Sequence, residues 1–189
     1  MTAYVHPSAV VGENFKPAPF TLIDAEVTVA DNVITGSFVH IRYAAHIAEN
    51  VLVGDHVTIH DGAVIGASSV IGDGSIVGRR SVAMLGAVSA GGTTPGAVLG
   101  DKCVVGACAI VGAACTLEDG VQVGDGANIA QGCTIGACAS IGRNAVIGEG
   151  CTVAAGVSVG AGAFVGDGAD VGGDIPEAAV AVPSDDETA

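Results

Sequence analysis

An aliphatic residue recurs at nearly every sixth position from Val5 to Val171, with one slip of frame, and glycine or another small residue usually follows it. Written in sixes the chain reads Ile23-Asp-Ala-Glu-Val-Thr, Val29-Ala-Asp-Asn-Val-Ile and, further on, Ile65-Gly-Ala-Ser-Ser-Val, Ile71-Gly-Asp-Gly-Ser-Ile. So short a period leaves each unit unable to bury a face alone; it is stable only when stacked on its neighbours. One frame runs from Val5 through Thr94 and holds 15 hexamers, and a second runs from Leu99 through Pro176 and holds 13. Between them lie the extra residues Pro95 to Val98. No room remains for a second domain.

Each position of the hexamer has its own chemistry. Aliphatics at position one and small residues at position five alternate with outward positions, which suits short strands filling a narrow prism from within. Position four carries Asn14, Asn32, Asn50, Gly62, Gly74, Gly120, Gly126, Gly132, Asn144 and Gly150 among others. These residues tolerate the left-handed backbone that a tight corner requires. The pattern resembles the bacterial hexapeptide-repeat acyltransferase superfamily. That resemblance implies an all-β fold, a left-handed parallel β-helix with three hexamers per coil, and a homotrimer. About nine coils at a spacing of about 4.8 Å would make a prism on the order of 45 Å long. Residues 1–176 are expected to form this single domain, with a short loop at 89–98, followed by an acidic tail over 177–189.

The chain is 50% hydrophobic but 3% aromatic, as a stacked repeat without large core side chains should be. Its net charge of −14 repels nucleic acid and anionic membrane, so neither is expected as a partner. The N-terminus lacks the basic segment and apolar run of a signal peptide, which points to the cytoplasm. Cys103, Cys115, Cys133 and Cys151 occupy the inward fifth position, and the last three, 18 residues apart, should stack in one interior column. Their spacing lacks the paired cysteines of a structural zinc site. They read as reduced core thiols.

Only outward positions can meet a substrate or another subunit. Asp24, Arg42 and His60 each follow an inward aliphatic, 18 residues apart, and should form one vertical column. His40 lies on the same strand as Arg42, across Ile41. His46 is outward on the next face, in a run similar to the His-Ile-Ala-His-Asp segment of UDP-N-acetylglucosamine acyltransferases, whose second histidine is the general base. Here Glu49 stands in that place, so Glu49 or another histidine would have to remove the proton. His40, His46 and His60 are the candidate bases, since histidine titrates nearest neutrality. Arg79 and Arg80 form a guanidinium pair suited to phosphate. A second outward column, Ile34, Leu52, Val70 and Val88, is aliphatic and reads as a subunit contact.

The resemblance implies transfer of an acetyl or other acyl group from coenzyme A, as acyl-CoA cosubstrate, to an amino or hydroxyl group of a small-molecule acceptor such as a nucleotide-linked sugar. No metal is expected for that reaction. Asp24, Arg42, Arg79 and Arg80 are the candidate binding residues. Two other readings stand beside it. One is a zinc enzyme like the γ-class carbonic anhydrases, although no two histidines here are five residues apart. The other is a non-catalytic β-helical scaffold.

Overall fold

The computed structural model describes residues 2–80 and 95–183, and within them it contains strands and corners but no helix. Its 27 strands, numbered in chain order, are nearly all two residues long. They form three sheets of ten, nine and eight strands, in which every third strand of the chain is a neighbour. The first face starts β1 (Tyr4–Val5), β4 (Leu22–Ile23), β7 (His40–Ile41), β10 (Thr58–Ile59), β13 (Ile76–Arg79), β16 (Ile110–Gly112) and ends at β27 (Val180–Ala181). The second runs from β2 (Val10–Val11) to β26 (Asp170–Val171), and the third from β3 (Lys16–Pro17) to β24 (Ser158–Val159). All pairings are parallel, and all but β13 with β16 keep one register throughout, as in Ile23 with Ile41 and Ile41 with Ile59. The result is the expected left-handed β-helix of about nine coils.

Position one fills the prism as the frame predicts. Ile23, Ile41, Ile59, Ile129 and Ile147 on the first face are fully buried, as are Ile65 and Leu99 on the second. Each such side chain contributes about 1.5–3 kcal/mol by leaving water. Cys115, Cys133 and Cys151 stack inside, their thiols donating to the carbonyls of Ala130 (2.9 Å), Gly148 (3.0 Å) and Gly166 (3.0 Å). Burial and the neighbouring sulfur of Cys115 push the Cys133 thiol far above its ordinary pKa, the hydrogen bond with Cys115 being the larger cause.

The corners carry positive φ at position four, from Asn14 (56°) to Gly168 (71°). They also explain much of the acidic charge. Position-three aspartates accept the corner amide of the coil before: Asp31 from Glu13 N–H (2.7 Å), Asp55 from Ser37 (2.6 Å), Asp101 from Ala67 (2.8 Å) and Asp167 from Glu149 (2.8 Å). A charged acceptor on a backbone N–H makes a strong hydrogen bond, and it satisfies a donor that the tight turn leaves over. Between the third and first faces the corner column departs from the Gly/Asn rule. Phe20, Phe38 and His56 take φ of 65°, 59° and 57° there, and their rings stack at centroid distances of 4.6 and 4.8 Å.

The interruption is longer than the frame suggested. Ile65 pairs with Leu99, a step of 34 residues where the repeat needs 18, so sixteen residues rather than four interrupt the ladder. The hexamers counted from Ala83 and Ser89 lie outside the described residues. Most of the expected loop, 89–94, lies outside the described residues; its last residue, Val98, begins β14 (Val98–Leu99). The aliphatic column is corrected in the same way. Val70 is followed by Val104, not Val88, giving Ile34, Leu52, Val70 and Val104, all exposed. At the other end the ladder passes Pro176: β27 pairs with β25 (Phe164–Val165), inside the segment expected as tail. The Val-rich stretch supplies one more rung before the acidic residues begin.

Candidate functional site

The outward side of the first face, over its second to fifth coils, gathers three of the four salt bridges among the described residues. In-register stacking places Asp24, Arg42 and His60 one above another just after the buried Ile23, Ile41 and Ile59, as the spacing predicts. The column then stops at Gly78. That residue has φ of 81°, and a Cβ on it would come within 3.2 Å of the His60 Cβ, so a side chain there would press on the imidazole. The pairing register shifts between Val77 and Arg79, which turns Arg79 and Arg80 away from the regular path.

Two linked sets of contacts result. His40 donates from Nε2 to Asp24 Oδ2 at 2.9 Å. With that nitrogen carrying the proton, Nδ1 of a neutral His40 is left as an acceptor. Beside it, Arg42 Nη1 donates to His60 Nδ1 at 3.0 Å. Because a guanidinium has no lone pair to give, the His60 proton must sit on Nε2. His60 is held below its ordinary pKa of 6.5, first by burial and then by the charge of Arg42, with Asp61 opposing them. It is therefore a neutral imidazole that donates outward. Arg42 Nε also meets Asp61 Oδ1 (3.2 Å), and Arg80 Nη2 meets Asp61 Oδ2 (3.3 Å). Two guanidiniums share one carboxylate, leaving a local positive charge on a protein of net charge −14.

Arg79 is exposed and lines an open cleft of about 160 Å³ with Arg80, Asn128, Gln131 and Glu149. Gln131 donates from Nε2 to Glu149 Oε2 at 3.2 Å, and its buried Oε1 has no partner among the described residues. Arg79 and Arg80 both line the cleft, and Arg80 is also tied to Asp61.

The remaining candidates lie elsewhere. His46 is exposed on the second face between Thr28 and Val64, round a corner from His40. Glu49 is exposed one corner further on. The structure therefore brings together Asp24, His40, Arg42, His60 and Arg80, but neither His46 nor Glu49. It adds Asp61, which the sequence reading passed over. Its signal was available: Asp61 follows His60 and lies 18 residues before Arg79, at a corner position where acids elsewhere hold amides. Among the described residues no three His, Cys, Asp or Glu side chains converge on a point that could hold a metal ion. Nor, among the described residues, is any helix long and apolar enough to cross a membrane.

A family model described as the hexapeptide repeat of succinyl-transferase matches residues 83–113, 108–137 and 138–172. No curated protein matches the chain. Among solved structures it is similar to a variant of GDP-perosamine N-acetyl transferase from Caulobacter crescentus, in complex with CoA and GDP-perosamine. The two are 21% identical with a TM-score of 0.43, over 96% of this chain and 53% of that one. UDP-N-acetylglucosamine acyltransferase from Francisella novicida is 18% identical with a TM-score of 0.45, over 96% of this chain and 67% of that one. The acetyltransferase domain of PglB from Neisseria gonorrhoeae is 18% identical with a TM-score of 0.44, over 97% of this chain and 55% of that one. The chain spans about half the length of the first of these. At such identities and scores the likeness concerns the solenoid and does not extend to activity. The family model over residues 83–172, together with the parallel ladder on both sides of the interruption, marks the chain as a hexapeptide-repeat β-solenoid.

Proposed function

We propose that this protein is an acyltransferase that moves an acetyl or longer acyl group from coenzyme A to an amine or hydroxyl of a small acceptor, with a nucleotide-linked sugar as the acceptor class. The observation that carries the reading is the His40–Asp24 pair on an outward face, beside a neutral His60 that has a proton to give. In this mechanism His40 Nδ1 takes the proton of the acceptor's nucleophile as it attacks the thioester carbonyl carbon. Asp24 fixes the tautomer and stabilises the imidazolium that forms. The oxygen of the tetrahedral intermediate carries negative charge, which the Nε2–H of His60 and the guanidinium of Arg42 are suited to stabilise. Collapse breaks the carbon–sulfur bond, and the departing thiolate takes the proton back from His40. Arg79 and Arg80 would meet phosphate.

The face is open within one chain, so water must be excluded by something else. A homotrimer would do it. The exposed aliphatic column Ile34, Leu52, Val70 and Val104 on the third face supplies an apolar contact, and the His/Arg face would then border the cleft between two subunits. Coenzyme A thioesters are met in the cytoplasm, which is the compartment proposed.

Titration calorimetry with acetyl-coenzyme A tests the reading. Micromolar binding by a trimer is expected, weakened at least tenfold in Arg79→Ala/Arg80→Ala; absence of any binding would leave the scaffold reading in its place.

A further inference from the structure

The stacked column Phe20, Phe38 and His56 has no part in the mechanism above, yet it is built against local backbone preference. Phenylalanine at φ of 65° and 59° is a backbone conformation that bulky side chains avoid, at about 1 kcal/mol or more each. Further along, the same corner uses Gly74, Cys108, Gly126, Asn144 and Gly162, none of them a bulky residue. Both rings are also left in water, Phe20 at 40% and Phe38 at 50% exposure. Contact between rings returns part of that cost, but stacking alone would favour burying them.

The ladder ends on an open step. The rings are parallel to within 4° and 3°, one per coil, so His56 presents a flat exposed face to the coil above. The residue there is Gly74, with no side chain to cover it. A Cβ on Gly74 would meet nothing within 4 Å except Cys108 Sγ, at 3.3 Å. The step thus has an aromatic floor and a sulfur above, a pairing favourable to a planar ring. From the same corner the chain runs through β10 (Thr58–Ile59) to His60 and to Asp61 at the next corner, four to five residues on and at most about 13–16 Å away. The Arg42/Arg80 guanidiniums cluster there. A stacked base at one edge and phosphate at the other match a nucleoside diphosphate laid across the strand.

We infer that His56, carried on the Phe20–Phe38 stack and opening into the Gly74 step, is a stacking site for the nucleobase of a ligand. The inference deepens the acyltransferase reading and rests on it for the ligand's origin. Two sources supply a ring of this chemistry: the acceptor's nucleotide and the adenine of coenzyme A.

The test is equilibrium binding of the full chain to four nucleoside 5′-diphosphates, adenosine 3′,5′-bisphosphate and, as the base-free control, ribose 5-phosphate. The inference expects at least one nucleotide to bind ten times or more tightly than ribose 5-phosphate. His56→Ala should remove that preference, and His56→Phe should keep it. Gly74→Phe, which fills the step, should remove it while the protein stays folded by circular dichroism. A nucleotide that competes with acetyl-coenzyme A assigns the site to the adenine, and one that binds alongside it assigns the site to the acceptor. Base-independent binding, unchanged affinity in His56→Ala, or no nucleotide binding would overturn the inference. So would a change of oligomeric mass in His56→Ala without a change in base preference, which would make the ladder a subunit contact. Acyl transfer measured separately keeps the readings apart: His56-dependent binding without turnover sinks the acyltransferase and keeps the site, and turnover without base preference does the reverse.

Discussion

The coils before the interruption and those after it are built on one backbone and spend their outward positions differently. Before it, outward sites carry Asp24, His40, Arg42, His46 and His60, and corner sites hold Phe20, Glu26, Phe38 and His56 at positive φ. After it, strands present Thr116, Gln122, Asn128, Thr134, Ser140 and Thr152, and the corners are mostly glycine, as at Gly120, Gly126, Gly132, Gly150 and Gly156. The later coils depart from the repeat's preferences mainly through small residues at the corners, such as Ala114 and Cys138. The earlier ones violate them at the positions that a ligand can reach. Where a scaffold is this regular, departures from its rule are the part that needs a reason beyond folding.

Matched core truncations test that contrast with the largest effect. Ile41→Ala and Ile147→Ala remove equivalent, fully buried side chains of the first face, and each should lower stability by about 2–5 kcal/mol in denaturant unfolding. Only Ile41 sits between His40 and Arg42. Under conditions where both variants remain folded, acyl transfer should fall at least tenfold in Ile41→Ala and stay near normal in Ile147→Ala. Equal losses in both would erase the distinction between the halves.

A smaller effect separates the corners. Gly132 has φ of 72° and nothing within 4 Å of a would-be Cβ, so Gly132→Ala costs only backbone strain, about 1 kcal/mol. Phe38→Gly relieves the same strain and gives up a stacked contact of similar size, so its net change should lie within about 1 kcal/mol of zero. A large destabilisation in Phe38→Gly would show the aromatic column to be structural.

The smallest effect is in pH. His60 is held below its unfolded value of 6.5, so as pH falls through that value the unfolded chain takes up a proton that the folded chain resists. Stability should therefore decline from about pH 6.5 downward until the folded His60 itself titrates, and it should be regained as pH rises. His60→Gln should remove this component of the melting-temperature profile, and Arg42→Gln should reduce it, since the Arg42 charge is the second cause of the shift.

Much of this was legible because a six-residue period with in-register stacking converts sequence spacing directly into neighbours. The Asp24–Arg42–His60 column and the Cys115–Cys133–Cys151 column both follow from counting by 18. Counting failed where the period was imitated rather than obeyed. Ala83 and Ser89 fall on the frame, but the ladder passes from Ile65 to Leu99. Spacing also could not choose partners within a column: His40 reaches down to Asp24, while Arg42 reaches up to His60 and Asp61. That choice depends on side-chain length and on which acid lies across the corner. The aromatic stack was visible as Phe20, Phe38 and His56 at 18-residue spacing, but position four had been read only for glycine and asparagine.

The central claim is that the outward first face before the interruption does the chemistry through His40. It is tested most directly by the rate of coenzyme A thiol release from acetyl-coenzyme A, with a panel of amino-sugar nucleotides as acceptors, in the wild-type protein, His40→Ala and His46→Ala. The account predicts acceptor-dependent release that falls by about 10²–10⁴ in His40→Ala and changes less than about twofold in His46→Ala. Release that survives in His40→Ala and is lost in His46→Ala would contradict it, moving the site to the second face.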